Sequence, residues 1–277
     1  MKKVLVLLSL VSFISCVTDS SQSTLPVTIS GYRIESSSNS SYSHILTGTL
    51  VNNKLFSEAN EIIQNGVSKG QNSQQLYFYS NNLLEHYTND NRTIYFYYDV
   101  NNNLIGATGM YNNGNQLFYR FINQPNNIVY CEKINLPYDN SSAIILQRSI
   151  LKFDTNDEVI SAGFDNNLDG LMDNINNFNY SNNNLMAITF YDGNSTTYSH
   201  SNIIDTFQEL RENSFGKKVT RLICSETFCG LNYNLKYSKN VLSQDALSST
   251  FQVLPNNYYE IKTEILNGVT TTTQFFF

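Results

Sequence analysis

The chain reads as an all-β protein: an antiparallel meander of repeated hairpins forming a twisted or curled sheet, with at most one or two short helices. Three observations predict this. The bulky residues are aromatic, with 19 Tyr and 17 Phe against no Trp and only 14% charged residues, and that balance favours strands. Short aromatic or β-branched runs alternate along the chain with clusters of Asn, Asp and Gly, the pattern of strands separated by tight turns. About forty asparagines gather in runs such as Asn101 to Asn103 and Asn182 to Asn184, and Asn tolerates the left-handed backbone that turns require.

The elements follow in order. Leu76 to Tyr79, Ile94 to Tyr98 and Leu117 to Ile122 are the clearest strands. Asn65-Gly66, Asn113-Gly114 and Asn267-Gly268 are the strongest short-range hairpin signal a sequence offers. Leu55 to Gln64 fits a short helix, with Leu55, Ala59, Ile62 and Ile63 near one face, or equally a strand ending at Asn65-Gly66. Ile203 to Glu212 is the better helix, with Asn202 as N-cap and Ile204, Phe207 and Leu210 at helical spacing. Tyr258 to Leu266 and Val269 to Phe277 form a closing hairpin. With 277 residues and 41% hydrophobic composition, residues 26–277 suffice for a single β domain with a sizeable core.

A weak repeat runs through the body: an aromatic, then Asp or Ser, a spacer, Asn, and aliphatic residues. Its copies are Tyr79 to Leu84, Tyr98 to Ile105, Phe153 to Ile160, Tyr180 to Met186 and Tyr237 to Leu242. Each is expected to be a strand end, an Asx-type turn and the start of the next strand. These residues resemble the YD repeat of Rhs-like proteins and of many Bacteroidetes lipoproteins, over about residues 76–242. The resemblance implies successive hairpins in one curved sheet; it is specific for architecture and silent on activity. The copies are too few for an Rhs-type shell.

The N-terminus carries an address. Lys2 and Lys3 precede an apolar run from Val4 to Ile14 and a small residue, Ser15, just before Cys16. This is the layout of a secretory signal, too short to span a bilayer permanently. Phe13 spoils the site for ordinary cleavage, whereas Phe13-Ile14-Ser15-Cys16 resembles the lipobox of bacterial lipoproteins. That resemblance implies residues 1–15 as signal peptide, acylation of Cys16, and attachment to the outer membrane, facing the periplasm since Asp19 is the one acidic residue soon after the Cys. Residues 16–25, rich in Ser and Thr, read as a tether. Several acyl chains hold far better than one, each buried methylene contributing about 0.8 kcal/mol.

Candidate chemistry is sparse. Asp165, Asn167, Asp169 and Asp173, with Gly170 at the sixth position, have the spacing of a Ca²⁺ loop; position twelve is Asn176 rather than the bidentate Glu, and the competing reading is a hairpin turn. Cys224 and Cys229 are a candidate disulfide in an oxidising compartment, leaving Cys131 for a buried strand. His44, His86 and His200 stand singly, in no metal or hydrolase motif. Paired carboxylates need only meet in space; Asp99, Glu132 and Glu260 are the acids set among aromatic strands. Tyr95 and Tyr97 alternate with Phe96 and Tyr98, so the first two share a sheet face, a candidate surface for stacking on sugars or gripping a peptide.

A net charge of −6, with Lys2-Lys3 and Lys217-Lys218 the only adjacent basic pairs, gives no electrostatic case for nucleic acid. The function expected is a non-enzymatic envelope module that binds a glycan or protein or serves a structural role. The alternatives are a carbohydrate-active hydrolase, which needs facing carboxylates, and a carrier of lipid or lipoprotein with an open barrel, which needs an apolar concavity. What lines the concave surface separates the three.

Overall fold

The computed structural model describes residues 28–39, 41–112, 114, 116–135, 144–223 and 238–277. They form one 17-stranded sheet and a two-stranded one. In chain order the strands are β1 (Gly31–Asn39), β2 (Tyr42–Val51), β3 (Lys54–Gln64), β4 (Val67–Ser80), β5 (Leu83–Asn89), β6 (Arg92–Tyr98), β7 (Leu104–Tyr111), β8 (Gln116–Gln124), β9 (Ile128–Asn135), β10 (Ile144–Phe153), β11 (Val159–Phe164), β12 (Asp173–Ser181), β13 (Asn184–Thr189), β14 (Ser195–Thr197), β15 (His200–Ile204), β16 (Asn240–Leu242), β17 (Ser249–Val253), β18 (Tyr259–Leu266) and β19 (Val269–Phe276). Each strand of the large sheet pairs antiparallel with its neighbour in sequence from β1 to β14 and from β17 to β19. The last strand, β19, returns to pair with β1, Phe275 opposite Tyr32. Among the described residues no ladder joins β14 to β17, so the meander stays open. The fold class expected from the sequence is the one found.

Alternation places one side of most strands of the large sheet in a common core. In β6, Ile94 and Phe96 are buried while Tyr97 is 49% exposed. Across the sheet Tyr32, Leu55, Tyr77, Leu84, Leu104, Phe121, Val129, Phe153, Leu185 and Phe275 join one cluster. Burying such side chains contributes about 1.5–3 kcal/mol each. Gly48 is fixed by this packing, because a Cβ there would lie 2.1 Å from the Tyr32 ring.

Among the described residues three short α-helices interrupt the sheet: α1 (Thr206–Phe215), α2 (Lys217–Ile223) and α3 (Ser243–Ser248). The helix expected at Ile203 to Glu212 begins three residues later. Asp205, not Asn202, is its N-cap, accepting the Phe207 and Gln208 amides at 3.1 Å. Asn202 lies in β15, held by pairing with β16. Leu55 to Gln64 is strand β3, because its neighbours β2 and β4 take both its edges. Helices α1 and α2 pack on the core face. Phe207 meets Tyr32 edge-on at 5.2 Å, Phe215 lies 5.5 Å from Tyr77, and Ser214 Oγ accepts the Leu55 amide at 3.0 Å.

An antiparallel meander sends alternate turns to opposite ends. One end, the asparagine rim, carries the turns at 52–53, 81–82, 99–103, 125–127, 154–158, 182–183 and 254–257. Eleven residues there hold positive φ: Asn52, Asn53, Asn81, Asn82, Asn102, Asn126, Asn127, Asp157, Asn182, Asn183 and Asn257. The first four copies of the sequence repeat all fall on this rim. The described part of the fifth, Ser238 to Leu242, instead enters β16 and leans on the turn of the fourth, the Lys239 amide donating to the Asn183 carbonyl. The opposite rim carries Asn65-Gly66 and Asn267-Gly268, both residues of each pair at positive φ, as a two-residue hairpin of the mirror-image type requires. Asn113 lies outside the described residues, though Gly114 has φ 85.

Candidate functional site

The repeat residues build the asparagine rim in a consistent way. Asp99 accepts the Asn101 amide at 2.8 Å and the Asn103 amide at 2.9 Å. Asp154 does the same for Asn156 and Glu158, at 2.8 and 2.9 Å. The Asn103 amide side chain, with these backbone donors, holds the Asp99 carboxyl below its ordinary range. The repeat aromatics tie neighbouring hairpins: Tyr79 Oη donates to the Leu55 carbonyl at 2.9 Å, and Tyr98 Oη to the Leu84 carbonyl at 3.0 Å. Burial raises both hydroxyls above the usual tyrosine range, so they stay protonated donors.

Between these turns and helices α1 and α2 lies a groove of about 1070 Å³. Asn81, Asn82, Asn101, Asn102, Asn103, Asn156 and Asn183 line one side; Gln208, Glu209, Glu212 and Asn213 of α1, and Lys217 and Lys218 of α2, line the other. Lys54 and Lys239 complete it. Most of its charges are already engaged. Glu158, 2% exposed, accepts from Lys217 at 2.7 Å and from Arg221 at 3.0 Å, and Arg221 also reaches Glu212 at 2.6 Å. Lys54 donates to the Asn82 carbonyl at 2.6 Å and sits over the Tyr79 ring; Lys218 sits over Phe153. Among the described residues Glu209 makes no ion pair. Burial first, then the charge of Glu212, raises its carboxyl above the ordinary range, against the pull of Lys239 and Lys217.

The inner face also carries a polar relay. Glu58 accepts from the hydroxyls of both Tyr32 and Tyr77, Gln75 donates to Tyr77 Oη at 2.5 Å, and Asn89 donates to Gln75 at 3.3 Å. Desolvation, then Glu58, raises both tyrosines well above their ordinary range.

The sequence-derived sites fall elsewhere. Asp165 sits on the face opposite the core, where Arg120, Glu132 and Arg148 are cross-strand neighbours. Glu132 is fully buried between Arg120 Nε (2.6 Å) and Arg148 Nε (2.8 Å), and Arg148 continues to Asp165 Oδ2 at 2.7 Å. Asp165 also accepts the Asp169 and Gly170 amides, each at 3.0 Å. Its acceptance of the amide four residues on repeats what Asp99 and Asp154 do. Burial pushes its carboxyl up, but Arg148 and these amides outweigh that and hold it low. Asn167 Oδ1 accepts the Asp169 amide at 3.3 Å and Asp173 Oδ2 accepts the Asn166 amide at 2.9 Å. Protein donors thus organise the calcium-like loop as an elaborated Asx turn, and among the described residues no group of three or more His, Cys, Asp or Glu is placed to hold a metal ion.

Tyr95 and Tyr97 do share the outer face, as alternation requires. The Tyr95 ring lies 5.2 Å from His86, which stacks on Phe78 at 4.2 Å and 11°. Their faces are turned toward one another rather than outward, and Tyr97 alone stands 49% exposed. Asp99, Glu132 and Glu260 do not converge: they occupy a rim turn, an outer-face ion chain and strand β18. Cys131 is buried in β9. Cys16, Cys224 and Cys229 lie outside the described residues. Sequence reasoning read the Asn turns as architecture and passed over Lys54, Glu209, Lys217 and Lys239. The available signal was Glu209 and Glu212 one turn apart in a predicted helix, followed by Lys217-Lys218.

No protein-family profile matches the chain, and no curated protein does. Among solved structures it is similar to a porin-like protein from Bacteroides uniformis, at 11% identity and a TM-score of 0.40, over 91% of this chain and 99% of that one. What the fold itself defines is an all-β open meander with a helix-covered core face. No helix of the described residues is long and apolar enough to cross a membrane.

Proposed function

We propose that this chain is a lipid-anchored envelope protein with a non-enzymatic, glycan-binding role, and that the groove of the asparagine rim is its binding site. The observation that carries this reading is the groove's lining. Side-chain amides from four turns of the asparagine rim face a helix bearing Gln208, Glu209 and Asn213. Such groups are both donors and acceptors, matching hydroxyl-rich ligands that need many directed hydrogen bonds and little apolar area. Phe215 and Tyr258, the groove's aromatics, are buried in the core beneath the amides. The carrier reading is less well supported, since α1 and α2 fill the apolar core face with Phe207, Leu210, Phe215 and Leu222. The hydrolase reading finds the groove carboxylates Glu158 and Glu212 neutralised by Lys217 and Arg221.

The test is a glycan and envelope-protein binding screen on protein beginning near Ser23, followed by titration calorimetry. Changing Glu209→Ala together with Lys239→Ala, side chains without a hydrogen bond that holds a turn, is expected to weaken glycan binding at least about tenfold, the loss of about 1.4 kcal/mol, without lowering stability. Absence of any glycan ligand, or a ligand indifferent to this variant, sinks the proposal.

A further inference from the structure

The groove and the start of the folded domain are neighbours. The Ile29 amide donates to Asn53 Oδ1 at 3.2 Å, and the Asn53 carbonyl accepts from Asn213 Nδ2 at 2.9 Å. Asn213 lines the groove, as does Lys54, the residue after Asn53. The chain therefore enters the domain at the asparagine rim, one residue's width from the groove wall. Ile29 is 2% exposed and joins the core, so this entry point is fixed. Twelve residues separate Ile29 from Cys16, and a stretch of that length spans at most about 40 Å when fully extended. The 11 residues of β3 carry the opposite rim about 36 Å further off. A membrane holding Cys16 is thus within easy reach of the groove, and reaches the opposite rim only with the tether drawn taut.

We infer that the groove's ligand is a sugar headgroup on a lipid of the same membrane that holds Cys16, bound in cis. This rests on the glycan-binding reading above and adds where the glycan is displayed. The groove's charges balance, Lys54, Lys217, Lys218 and Lys239 against Asp157, Glu158, Glu209 and Glu212, which suits headgroup sugars held by directed hydrogen bonds. Tethering raises the local ligand concentration as the −3/2 power of tether length, so a short tether gives a membrane-borne glycan an advantage that the same glycan free in solution lacks.

The experiment uses the full lipidated chain in phosphatidylcholine vesicles, with and without rough lipopolysaccharide, and in parallel with the core oligosaccharide released from that lipopolysaccharide. The readout is amide hydrogen exchange in the groove turns at 81–83 and 101–103. Lipopolysaccharide is expected to slow exchange there. Extending the tether about fourfold with Gly and Ser should raise the lipopolysaccharide needed for half-protection by roughly eightfold and leave the response to the released oligosaccharide unchanged. If the free oligosaccharide protects the groove but the lipid-borne form does not, or if tether length makes no difference, the cis inference falls and the glycan-binding reading stands. If neither form protects it, both fall.

Discussion

The two rims of the sheet use the same backbone chemistry and end in opposite environments. At the asparagine rim five strands leaving a turn bury an aliphatic side chain at their first or second residue: Leu55 2%, Leu84 1%, Leu104 2%, Val159 0% and Leu185 1% exposed. At the opposite rim Val67 and Ile144, the first residues of their strands, stand in the open at 60% and 55%, and the turn flanks Leu171, Tyr191, Ile265 and Leu266 are 62–72% exposed. Helices α1 and α2 make the difference, since they cover one end of the core face and bring their own charges with them. An apolar residue beside an Asn turn is therefore no guide to burial; what packs over the turn decides it.

The sharpest test of that contrast is the ionic seat of the helices. Arg221 is 1% exposed against Glu158, and removing one partner of a buried pair strands the other, costing about 3–5 kcal/mol. Glu158→Ala should lower the unfolding free energy measured in urea by that much and loosen α2 in hydrogen exchange. Asp192→Ala, which removes an exposed cap of the Asn194 amide at the opposite rim, should cost about 1 kcal/mol or less. Equal losses would mean that the helices do not anchor the rim.

Core leucines come next. Leu84→Ala should cost about 2–5 kcal/mol by transfer and cavity terms, whereas Leu266→Ala, at 72% exposure, should stay within about 0.5 kcal/mol. A chemical-denaturation series on the two variants decides it.

Sequence alone made the strands, the meander and the Asn turns legible, because alternation and turn chemistry are local. Tyr95 and Tyr97 on one face, and Asn65-Gly66 and Asn267-Gly268 as hairpins, followed from φ preferences and the period of two. The groove was not legible, because it depends on α1 and α2 folding back across a sheet formed by residues far away in the chain. The Leu55 amide donates to a helix serine 159 positions on, and Arg221 meets a glutamate 63 positions back. The partner of the acidic loop at Asp165 was hidden for a related reason, since Arg148, which pairs with it at 2.7 Å, comes from a neighbouring strand.

Alkaline titration probes the covered end as a whole. Tyr32, Tyr77, Tyr79, Tyr98, Tyr180 and Tyr259 are all raised by burial, and Tyr258 is pushed up to about 12. The unfolded chain releases these protons near pH 10 while the native state keeps them. The stabilisation is fully present below pH 10 and is lost as pH rises through the native values. Each such tyrosine contributes a loss of about 1.4 kcal/mol per pH unit above 10, so unfolding and the part of the tyrosinate absorbance change due to these seven residues should coincide. Tyrosinate appearing well before unfolding would show that the core tyrosines are reached by solvent. A single member tests the link between hairpins: Tyr79→Phe removes its bond to the Leu55 carbonyl and should cost about 0.5–1.5 kcal/mol.

The smallest effect separates turn from cover. Asn82 at the asparagine rim has φ 66 and Asn267 at the opposite rim φ 51, a region that costs an ordinary L residue roughly 1–2 kcal/mol. Asn visits it more readily than Ala, so Asn82→Ala and Asn267→Ala should each cost about 1 kcal/mol, and each Asn→Gly change should shift stability by only a few tenths. Because the penalty arises within the residue's own backbone, the two rims should match to within about 0.5 kcal/mol, despite their different surroundings. A markedly larger loss at Asn82 would mean that its side chain, which lines the groove, also braces the helices, and that the groove wall is part of what holds α1 and α2 in place.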